Sequence, residues 1–318
     1  MSDIQTSTVA PRELHPRRAV RGALTLPGDK SISHRAALLG LWTAAPLTIT
    51  NYSDGEDCAR SLAAVEALGA TVRRGDAGIT ITAPERYPTE PVSIDCGNSG
   101  TTARLLIGLL SGMERAVELV GDISLSQRPM KRVTEPLRQM GARFSEQSET
   151  LPLTVFGGAS GSLDYRLPIP SAQVKSAILL AALTGGGRAI VTEDVLTRDH
   201  TERMALALGG QCEIRKPRVE IQDDPADPRK KNRVILDDWK SQVIVHGGER
   251  LDGGVIDIPG DPSTAAFYLA AAAISKGEVT ITNHSLNPTR VAFLEHLRAI
   301  GCEVEITAKS VVSEEPRG

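Results

Sequence analysis

The chain has 318 residues, of which 41% are hydrophobic and 24% charged. This composition is typical of a soluble globular protein of about two domains and excludes wholesale disorder. Its 36 basic and 39 acidic residues give a net charge of −3, so no basic excess points to nucleic acid or to an acidic membrane surface. Aromatic residues make up only 3%, which also argues against stacking platforms for bases.

Targeting and metal-binding patterns are absent from the sequence. The N-terminal segment lacks the apolar stretch of a signal peptide, and the longest wholly apolar run, Ala265 to Ile274, is much shorter than the ~20 residues that span a bilayer. The cysteines form no C-x-x-C pair, which predicts reduced core residues and no metal site: Cys58, Cys96, Cys212 and Cys302. We therefore expect a cytoplasmic protein with no membrane partner.

The first predicted unit has the order β-α-β-α-β-β. A strand over Ala23 to Leu26 ends in a Pro-Gly turn, and an amphipathic helix follows. The β-branched run Leu47 to Thr50 predicts a second strand. A second helix, from Cys58 to Leu68, is expected to stop at Gly69 and to be followed by two short strands.

The same landmarks recur later in the chain at one constant offset. Leu47 to Asn51 matches Val279 to Asn283, and Pro27 to Ser31 matches Pro259 to Ser263. Weaker copies lie between, which gives four units over residues 23–85, 92–157, 163–246 and 255–308. A charged segment from Asp223 to Arg233 inside the third unit predicts a solvated hairpin loop.

The four units predict one complete domain and one partial domain. Residues 24–248 would form a compact three-unit domain, and residues 1–23 plus 249–318 would form part of a second. Because repeat folds generally need about three units to bury a core, a single fourth unit would lack two neighbours. We expect either a C-terminal truncation or a partner that supplies the rest.

Three predicted helices begin with small polar residues and a nearby cation, a combination that suits an anion because helix N-termini present free N–H groups. These turns carry Lys30, Ser31, Ser33 and Arg35; Asn98, Ser99, Gly100, Thr101 and Arg104; and Ser171, Gln173 and Lys175. A further basic loop contains Arg128, which suits bidentate capture of a carboxylate or phosphate. The sequence contains neither a Walker loop nor a G-x-G-x-x-G fingerprint, so nucleotide binding is disfavoured.

His200 invites assignment as a catalytic acid–base, but it lies in T-R-D-H-T-E-R, where Glu202 fits the first turn of a helix. A structural or substrate-edge role is therefore favoured. The sequence contains no recognisable Ser-His-Asp set or catalytic carboxylate pair.

Five ordered motifs resemble the EPSP synthase (3-phosphoshikimate 1-carboxyvinyltransferase) family of enolpyruvyl transferases. The motifs are L-P-G-D-K-S-I-S-H-R at 26–35, G-N-S-G-T at 97–101 with Arg104, R-P-M at 128–130, S-A-Q-V-K-S at 171–176 and R-D-H-T-E-R at 198–203. The resemblance runs from about residue 10 to the last residue. It implies an inside-out α/β barrel with three units per domain, no metal or cofactor, and a monomeric full-length form.

The resemblance also implies an activity: transfer of the enolpyruvyl group of phosphoenolpyruvate to the 5-hydroxyl of shikimate 3-phosphate, in aromatic amino-acid biosynthesis. By position, the implied shikimate 3-phosphate ligands are Lys30, Ser31, Arg35, Ser171, Ala172, Gln173 and Thr197. The implied phosphoenolpyruvate ligands are Lys30, Gly100, Arg128 and Gln173, with Asn98 and Thr101 in support. Lys30 is the implied catalytic residue; Thr197 stands where many members have Ser.

The resemblance stops before the family's catalytic aspartate and glutamate and before the last cations of its phosphoenolpyruvate site. We therefore expect the chain alone to be inactive or nearly so. A non-catalytic module that binds shikimate 3-phosphate, or one half of a split enzyme, stays open as an alternative. The related UDP-N-acetylglucosamine enolpyruvyl transferases are disfavoured because residues 121–128 lack the cysteine of that family's loop.

Overall fold

A computed structural model describes residues 19–147, 149–224, 227–235 and 237–318. The fold is α/β, as predicted, and its three four-stranded sheets share one topology. In each sheet a parallel pair of strands is extended by an antiparallel hairpin. The internal repeat read from the sequence is therefore real in three dimensions.

The first unit follows the predicted element order. Its elements are β1 (Arg21–Thr25), α1 (Lys30–Gly40), β2 (Leu47–Thr50), α2 (Glu56–Ala67), β3 (Thr71–Gly75) and β4 (Gly78–Thr82). Helix α2 ends just before Gly69, whose φ of 96° lies in the left-handed region that glycine adopts freely.

The second and third units repeat this order with short additions. The second contains β5 (Val92–Asp95), α3 (Gly100–Ser111), β6 (Val117–Val120), α4 (Ile123–Ser126), α5 (Lys131–Gln139), β7 (Arg143–Phe144) and β8 (Leu153–Gly157). The third contains β9 (Leu163–Arg166), α6 (Ala172–Gly185), β10 (Arg188–Glu193), α7 (His200–Ala207), β11 (Cys212–Arg215), β12 (Val219–Asp224), β13 (Asp227–Ile235) and β14 (Ser241–His246).

The charged segment of the third unit forms a hairpin, as expected, but most of it is strand rather than loop. Strands β12 and β13 pair antiparallel as a separate two-stranded ribbon. The predicted exposure of this segment to solvent stays a prediction, because the structure describes the strands here but not the exposure of their side chains.

The fourth unit departs from the predicted pattern. It contains β15 (Gly254–Asp257), α8 (Pro262–Ser275), β16 (Glu278–Thr282), α9 (Ala292–Ala299), β17 (Ser310–Val312) and β18 (Glu315–Arg317). The two closing strands expected before residue 308 are not formed there; β17 and β18 instead pair as a short hairpin.

The first and fourth units exchange their first strands. Strand β15 pairs in parallel with β2 and completes the sheet of the first unit, whereas β1 pairs in parallel with β16. The two crossing segments meet at a bridge between Gly28 and Gly260. A side chain at Gly28 would lie 1.8 Å from the carbonyl oxygen of Asn51, so this crossing requires glycine. The domain division at residues 24 and 248 stays a prediction. The exchange places β15, which was predicted to belong to the second domain, in the sheet of the first unit.

Three buried helices form the centre of the fold. Helices α1, α3 and α6 are almost entirely buried. Beyond Arg35, Arg104 and Lys175 they consist of small or apolar residues and Thr184, as expected for buried helix segments without a polar face. At Gly108, α3 lies so close to α6 that a Cβ atom would come within 2.4 Å of the Ala177 carbonyl oxygen. Glycine at this position therefore sets the distance between the two helices.

Helix α8 is as apolar as α6 but is largely exposed. Phe267 is 78% exposed and Ile274 is 87% exposed. In the part of the chain that the structure describes, no helix has the length and apolarity needed to cross a membrane.

We expect Gly108→Ala to destabilise the fold by about 1–3 kcal/mol, the usual cost of overpacking a core. The ~1 kcal/mol of helix propensity that alanine gains does not offset the clash, because the atoms it meets belong to the α6 backbone. Urea unfolding would measure the change. Gly75→Ala is the matched control, since nothing lies within 4 Å of its added Cβ; equal stability of the two variants would contradict the prediction.

Candidate anion-binding site

The N-termini of α1, α3 and α6 lie together, connected by side chains of their first turns. Gln173 Nε2 donates to Thr101 Oγ1 at 3.1 Å, which links α6 to α3. Thr102 Oγ1 donates to the backbone carbonyl of Asp57 at 3.3 Å, and the Asp57 carboxylate pairs with Lys30 Nζ. Because each helix start carries the positive end of a helix dipole, their grouping favours a bound anion.

Each of the three helices is capped by a side chain of the residue that precedes it. Asp29 caps α1, and its Oδ1 accepts from the Ser31 and Ile32 N–H groups at 2.7 and 3.1 Å. Ser99 and Ser171 cap α3 and α6 in the same way. The caps satisfy N–H groups of the first turns and fix where each helix begins.

Lys30 is the exposed cation of the first turn. Its side chain is 49% exposed, so the ammonium group can reach a ligand by exchanging its partner Asp57. Its backbone N–H donates to Asp261 Oδ2 at 3.1 Å, and Arg290 pairs with both Asp29 and Asp261 at 2.7 and 3.4 Å. The residues at the strand crossing thus hold the start of α1 in place.

Ser31 and Arg35 lie on the side of α1 that faces the third unit. Arg35 is buried, and its guanidinium donates to Thr201 Oγ1, the Ser31 carbonyl and Ser176 Oγ, each at 2.8 Å. A guanidinium has five N–H donors, and these bonds use three of them. Burial lowers the pKa of Arg35 to about 10. Arg198 Nη1 donates to Ser31 Oγ at 3.1 Å, which adds an exposed cation to this side.

Two guanidinium groups flank Gly100. A Cβ atom at this position would lie 2.9 Å from Arg104 Nη1 and 3.3 Å from Arg128 Nη1. Arg128 is held by Asn98, whose carbonyl oxygen accepts from Nη1 at 3.3 Å and whose Oδ1 accepts from Nη2. Arg104 Nη1 donates to Gln173 Oε1 at 3.0 Å. The space beside Gly100 is therefore a place where an oxyanion would meet two guanidinium groups and the first turn of α3.

The cations around α3 repel one another. Burial, together with like-charge repulsion from Arg132 and Arg128, lowers the pKa of Arg104 to about 10. Since the positive charge of Arg104 is disfavoured here, a bound anion would remove part of this electrostatic cost.

Lys175 is not available to a ligand at the site. This corrects the expectation that Lys175 supplies the cation at the start of α6. Its side chain is 1% exposed, and Nζ pairs with Glu193 Oε2 and Glu202 Oε1, each at 2.8 Å. Burial lowers the pKa of Lys175, but the attraction of Glu202 and Glu193 outweighs it and the net pKa is raised. Lys175 therefore connects α6 to β10 and α7. The cation at the start of α6 is instead Arg104, which hydrogen-bonds to Gln173.

Thr197 and His200 are engaged within the protein. The Thr197 hydroxyl donates to Glu193 Oε1, so binding a ligand would require this bond to be exchanged. His200 is fully buried, and its Nδ1 lies 2.6 Å from Glu315 Oε1. This placement agrees with the structural role favoured for His200.

All the predicted site residues except Thr197 lie in or beside these three helix starts: Lys30, Ser31, Arg35, Asn98, Gly100, Thr101, Arg128, Ser171, Ala172 and Gln173. Sequence reasoning gave no role to Asp57 or Arg198. Arg198 lies within the motif R-D-H-T-E-R, so the sequence contained a signal that could have placed it at the site. Asp57 lies in α2, and no motif or spacing in the sequence indicated a role for it. The roles in ligand binding stay predictions.

Within the described ranges, no group of three His, Cys, Asp or Glu residues could hold a metal ion. That no cofactor is required stays a prediction.

A buried polar network lies beneath the site. His34 Nδ1 is 2.8 Å from Ser61 Oγ, which is 2.9 Å from Thr102 Oγ1. Thr102 also contacts the cap Ser99 at 2.8 Å. Burial, together with Lys30 and Arg35, lowers the pKa of His34 to about 3, so the imidazole is neutral at all ordinary pH values.

The depressed pKa of His34 predicts acid sensitivity. Above pH 6.5 the folded and unfolded states are both neutral at this residue. As the pH falls below 6.5, only the unfolded state takes up a proton, and the free energy of unfolding should drop by about 1.5 kcal/mol between pH 6.5 and pH 5. His34→Gln should flatten this part of the pH profile in urea unfolding. The exposed His296 provides the control variant His296→Gln, and identical slopes in the two variants would refute the assignment.

Together these features define a class of protein: an α/β protein of repeated units in which helix N-termini and cations are grouped to hold small anions. Comparisons identify the class more closely. The model of the family EPSP synthase (3-phosphoshikimate 1-carboxyvinyltransferase) matches residues 14–241 and 234–318. The chain therefore belongs to the EPSP synthase family.

Individual relatives agree with this assignment. A 3-phosphoshikimate 1-carboxyvinyltransferase of Bacillus licheniformis is 37% identical over 94% of this chain and 66% of its own length. One of Anaeromyxobacter sp. (strain K) is 42% identical over 95% of this chain and 64% of its own length. An EPSP synthase structure from Acinetobacter baumannii superposes with a TM-score of 0.77 at 34% identity, over 94% of this chain and 63% of that one. This chain thus spans somewhat less than two thirds of these relatives' length.

Proposed function

We propose that this chain takes part in the transfer of the enolpyruvyl group of phosphoenolpyruvate to the 5-hydroxyl of shikimate 3-phosphate, which yields 5-enolpyruvylshikimate 3-phosphate and phosphate. The observation that carries the proposal is the grouping of three helix N-termini, with Lys30 at the start of α1 and with Arg128 and Arg104 beside Gly100. The names of the relatives support the same reaction. Two multiply charged anions must be held side by side for it, and only a site rich in donors and cations can do so.

Shikimate 3-phosphate would lie between the starts of α1 and α6. There the phosphate meets Ser171, Gln173 and the backbone N–H of Ala172, while Lys30, Ser31 and Arg35 hold the rest of the molecule. Thr197 would join them if its hydroxyl turned away from Glu193.

Phosphoenolpyruvate would lie at the start of α3, beside Gly100. Arg128 and Gln173 would hold its charged groups, and Asn98 and Thr101 keep those two side chains oriented. A proton added to the methylene carbon gives cationic character to C2, and the 5-hydroxyl attacks C2 and loses its own proton. The tetrahedral intermediate then loses phosphate together with a proton of the new methyl group, which restores the carbon–carbon double bond. Lys30, within reach of both ligands, would stabilise the charge that accumulates on the oxygens.

The cellular setting belongs to the same proposal. We expect a cytoplasmic location, small-molecule partners only, and a monomer for the full-length form. The matching family model and the names of these relatives support the choice of shikimate 3-phosphate as the acceptor.

Calorimetry with shikimate 3-phosphate tests the binding half of the proposal. We expect saturable binding that Lys30→Ala weakens by about tenfold or more, because a charge-assisted hydrogen bond is lost. Lys216→Ala removes an exposed lysine far along the sequence and should bind normally. A folded chain that does not bind shikimate 3-phosphate would overturn the proposal.

A phosphate-release assay with both substrates tests turnover by the same sample. Release that needs both substrates and disappears in Lys30→Ala means that the chain is itself a transferase. Binding without release rejects turnover by this chain alone and leaves the module that binds shikimate 3-phosphate.

Gly100→Ala should selectively weaken the binding of phosphoenolpyruvate. The added Cβ would lie 2.9 Å from Arg104 Nη1 and occupy the space beside Arg128, so phosphoenolpyruvate and any inhibitor that mimics it should bind less tightly. Shikimate 3-phosphate, held mainly by α1 and α6, should bind as before and serves as the internal control. Unchanged affinity for phosphoenolpyruvate would place that ligand elsewhere.

A further inference from the structure

A cavity lies at the end of α3 opposite the anion-binding site. It has a volume of about 270 Å³ and opens between the segment that joins β4 to β5 and the turn that joins α3 to β6. Its lining combines apolar and polar groups: Tyr87, Pro88, Thr89, Pro91, Met113, Glu114, Arg115 and Ala116. None of these residues has a role in the proposed transfer.

Arg115 is the unusual member of this lining. The side chain is half-buried, but Nε, Nη1 and Nη2 are all inaccessible to solvent and have no hydrogen-bond partner among the described residues. Burial lowers the pKa of Arg115, as expected for a charge removed from water. An unpaired guanidinium leaves five donors unsatisfied, and buried groups of this kind normally have a partner.

A second arginine adds to the positive charge on this side. The Arg250 guanidinium stacks over the Tyr87 ring at 5.7 Å and donates to the backbone carbonyl of Pro84 at 3.3 Å. The Tyr87 hydroxyl donates to the Leu41 carbonyl at 2.6 Å, so it offers no donor hydrogen to Arg115. The only carboxylate in the cavity lining is the exposed Glu114.

We propose that this cavity binds a compact organic monocarboxylate, with the carboxylate held by Arg115 and an apolar body against Pro88, Pro91 and Met113. A planar guanidinium binds a carboxylate through two parallel hydrogen bonds. The exposed Glu114 opposes a more highly charged ligand, which favours a monoanion over phosphate. The volume lies below the ~300–1,000 Å³ of sites for drug-sized ligands, which limits the body to about the size of one ring.

The site would be independent of the transfer reaction. Met113, Glu114 and Arg115 follow the last residue of α3, and Gly100 is its first. The helix of 12 residues is ~18 Å long, so a ligand at Arg115 cannot touch the substrates. Neither shikimate 3-phosphate nor phosphoenolpyruvate should compete with it.

Thermal unfolding and calorimetry with benzoate as the probe test the proposal. Benzoate should raise the melting temperature and bind saturably, and Arg115→Met should abolish both effects. Arg86→Met is the matched control: it removes an exposed arginine of the same segment and should leave benzoate binding unchanged. Arg115→Lys should weaken binding by roughly tenfold, because the second parallel hydrogen bond is lost.

The stability of the ligand-free variants keeps the test decisive. Arg115→Met removes an unpaired charge from a buried position, so without benzoate it should be at least as stable as the parent chain. A loss of stability in this variant would mean that Arg115 has a structural partner and would overturn the proposal. So would absence of benzoate binding to the folded parent chain, equal binding to Arg115→Met, or inorganic phosphate binding more tightly than benzoate.

Discussion

The contact between α3 and α6 is the constraint on which the site depends. At Gly108 the two backbones approach so closely that no side chain fits between them, and this fixes the distance between the two helices. Because both helices start at the same end, their caps, Ser99 and Ser171, and the positive ends of their dipoles arrive together. The binding geometry is thus a consequence of core packing rather than of flexible loops.

The site also shows why the core carries charge. Lys175, Glu193 and Glu202 form a buried ion triad directly behind the start of α6. Burying charges costs stability unless they are well paired, and here three elements are tied together by them. On the other side of the helix start, Arg104 keeps a pKa near 10 beside other cations. Lys175 is thus paired with carboxylates, whereas Arg104 hydrogen-bonds to the neutral side chain of Gln173.

Much of this could be predicted from the sequence, because the informative signals are local. The strands over 47–50 and 117–120, the ends of helices at glycine, and the polar helix starts all follow from residue type and spacing. The strand exchange could not be predicted: β1 and β15 are equivalent members of the repeat, so the pattern cannot say which sheet each one joins. The inward turn of Lys175 was missed for a related reason, since its partners come from other elements. The role of Asp57 depends on the packing of α2 against α1, which no short motif records.

The exchange of first strands has a consequence for how the chain is made. The sheet that contains β2 is completed by β15, whose residues Gly254–Asp257 pair with Leu47–Thr50. A ribosome adds ~5–20 residues per second, so roughly 10–40 s pass between the emergence of the two strands. During that interval the edge of β2 is an unpaired template, open to strands of other nascent chains. Vectorial synthesis therefore favours the second and third units as the folding nucleus, with the first unit closing last.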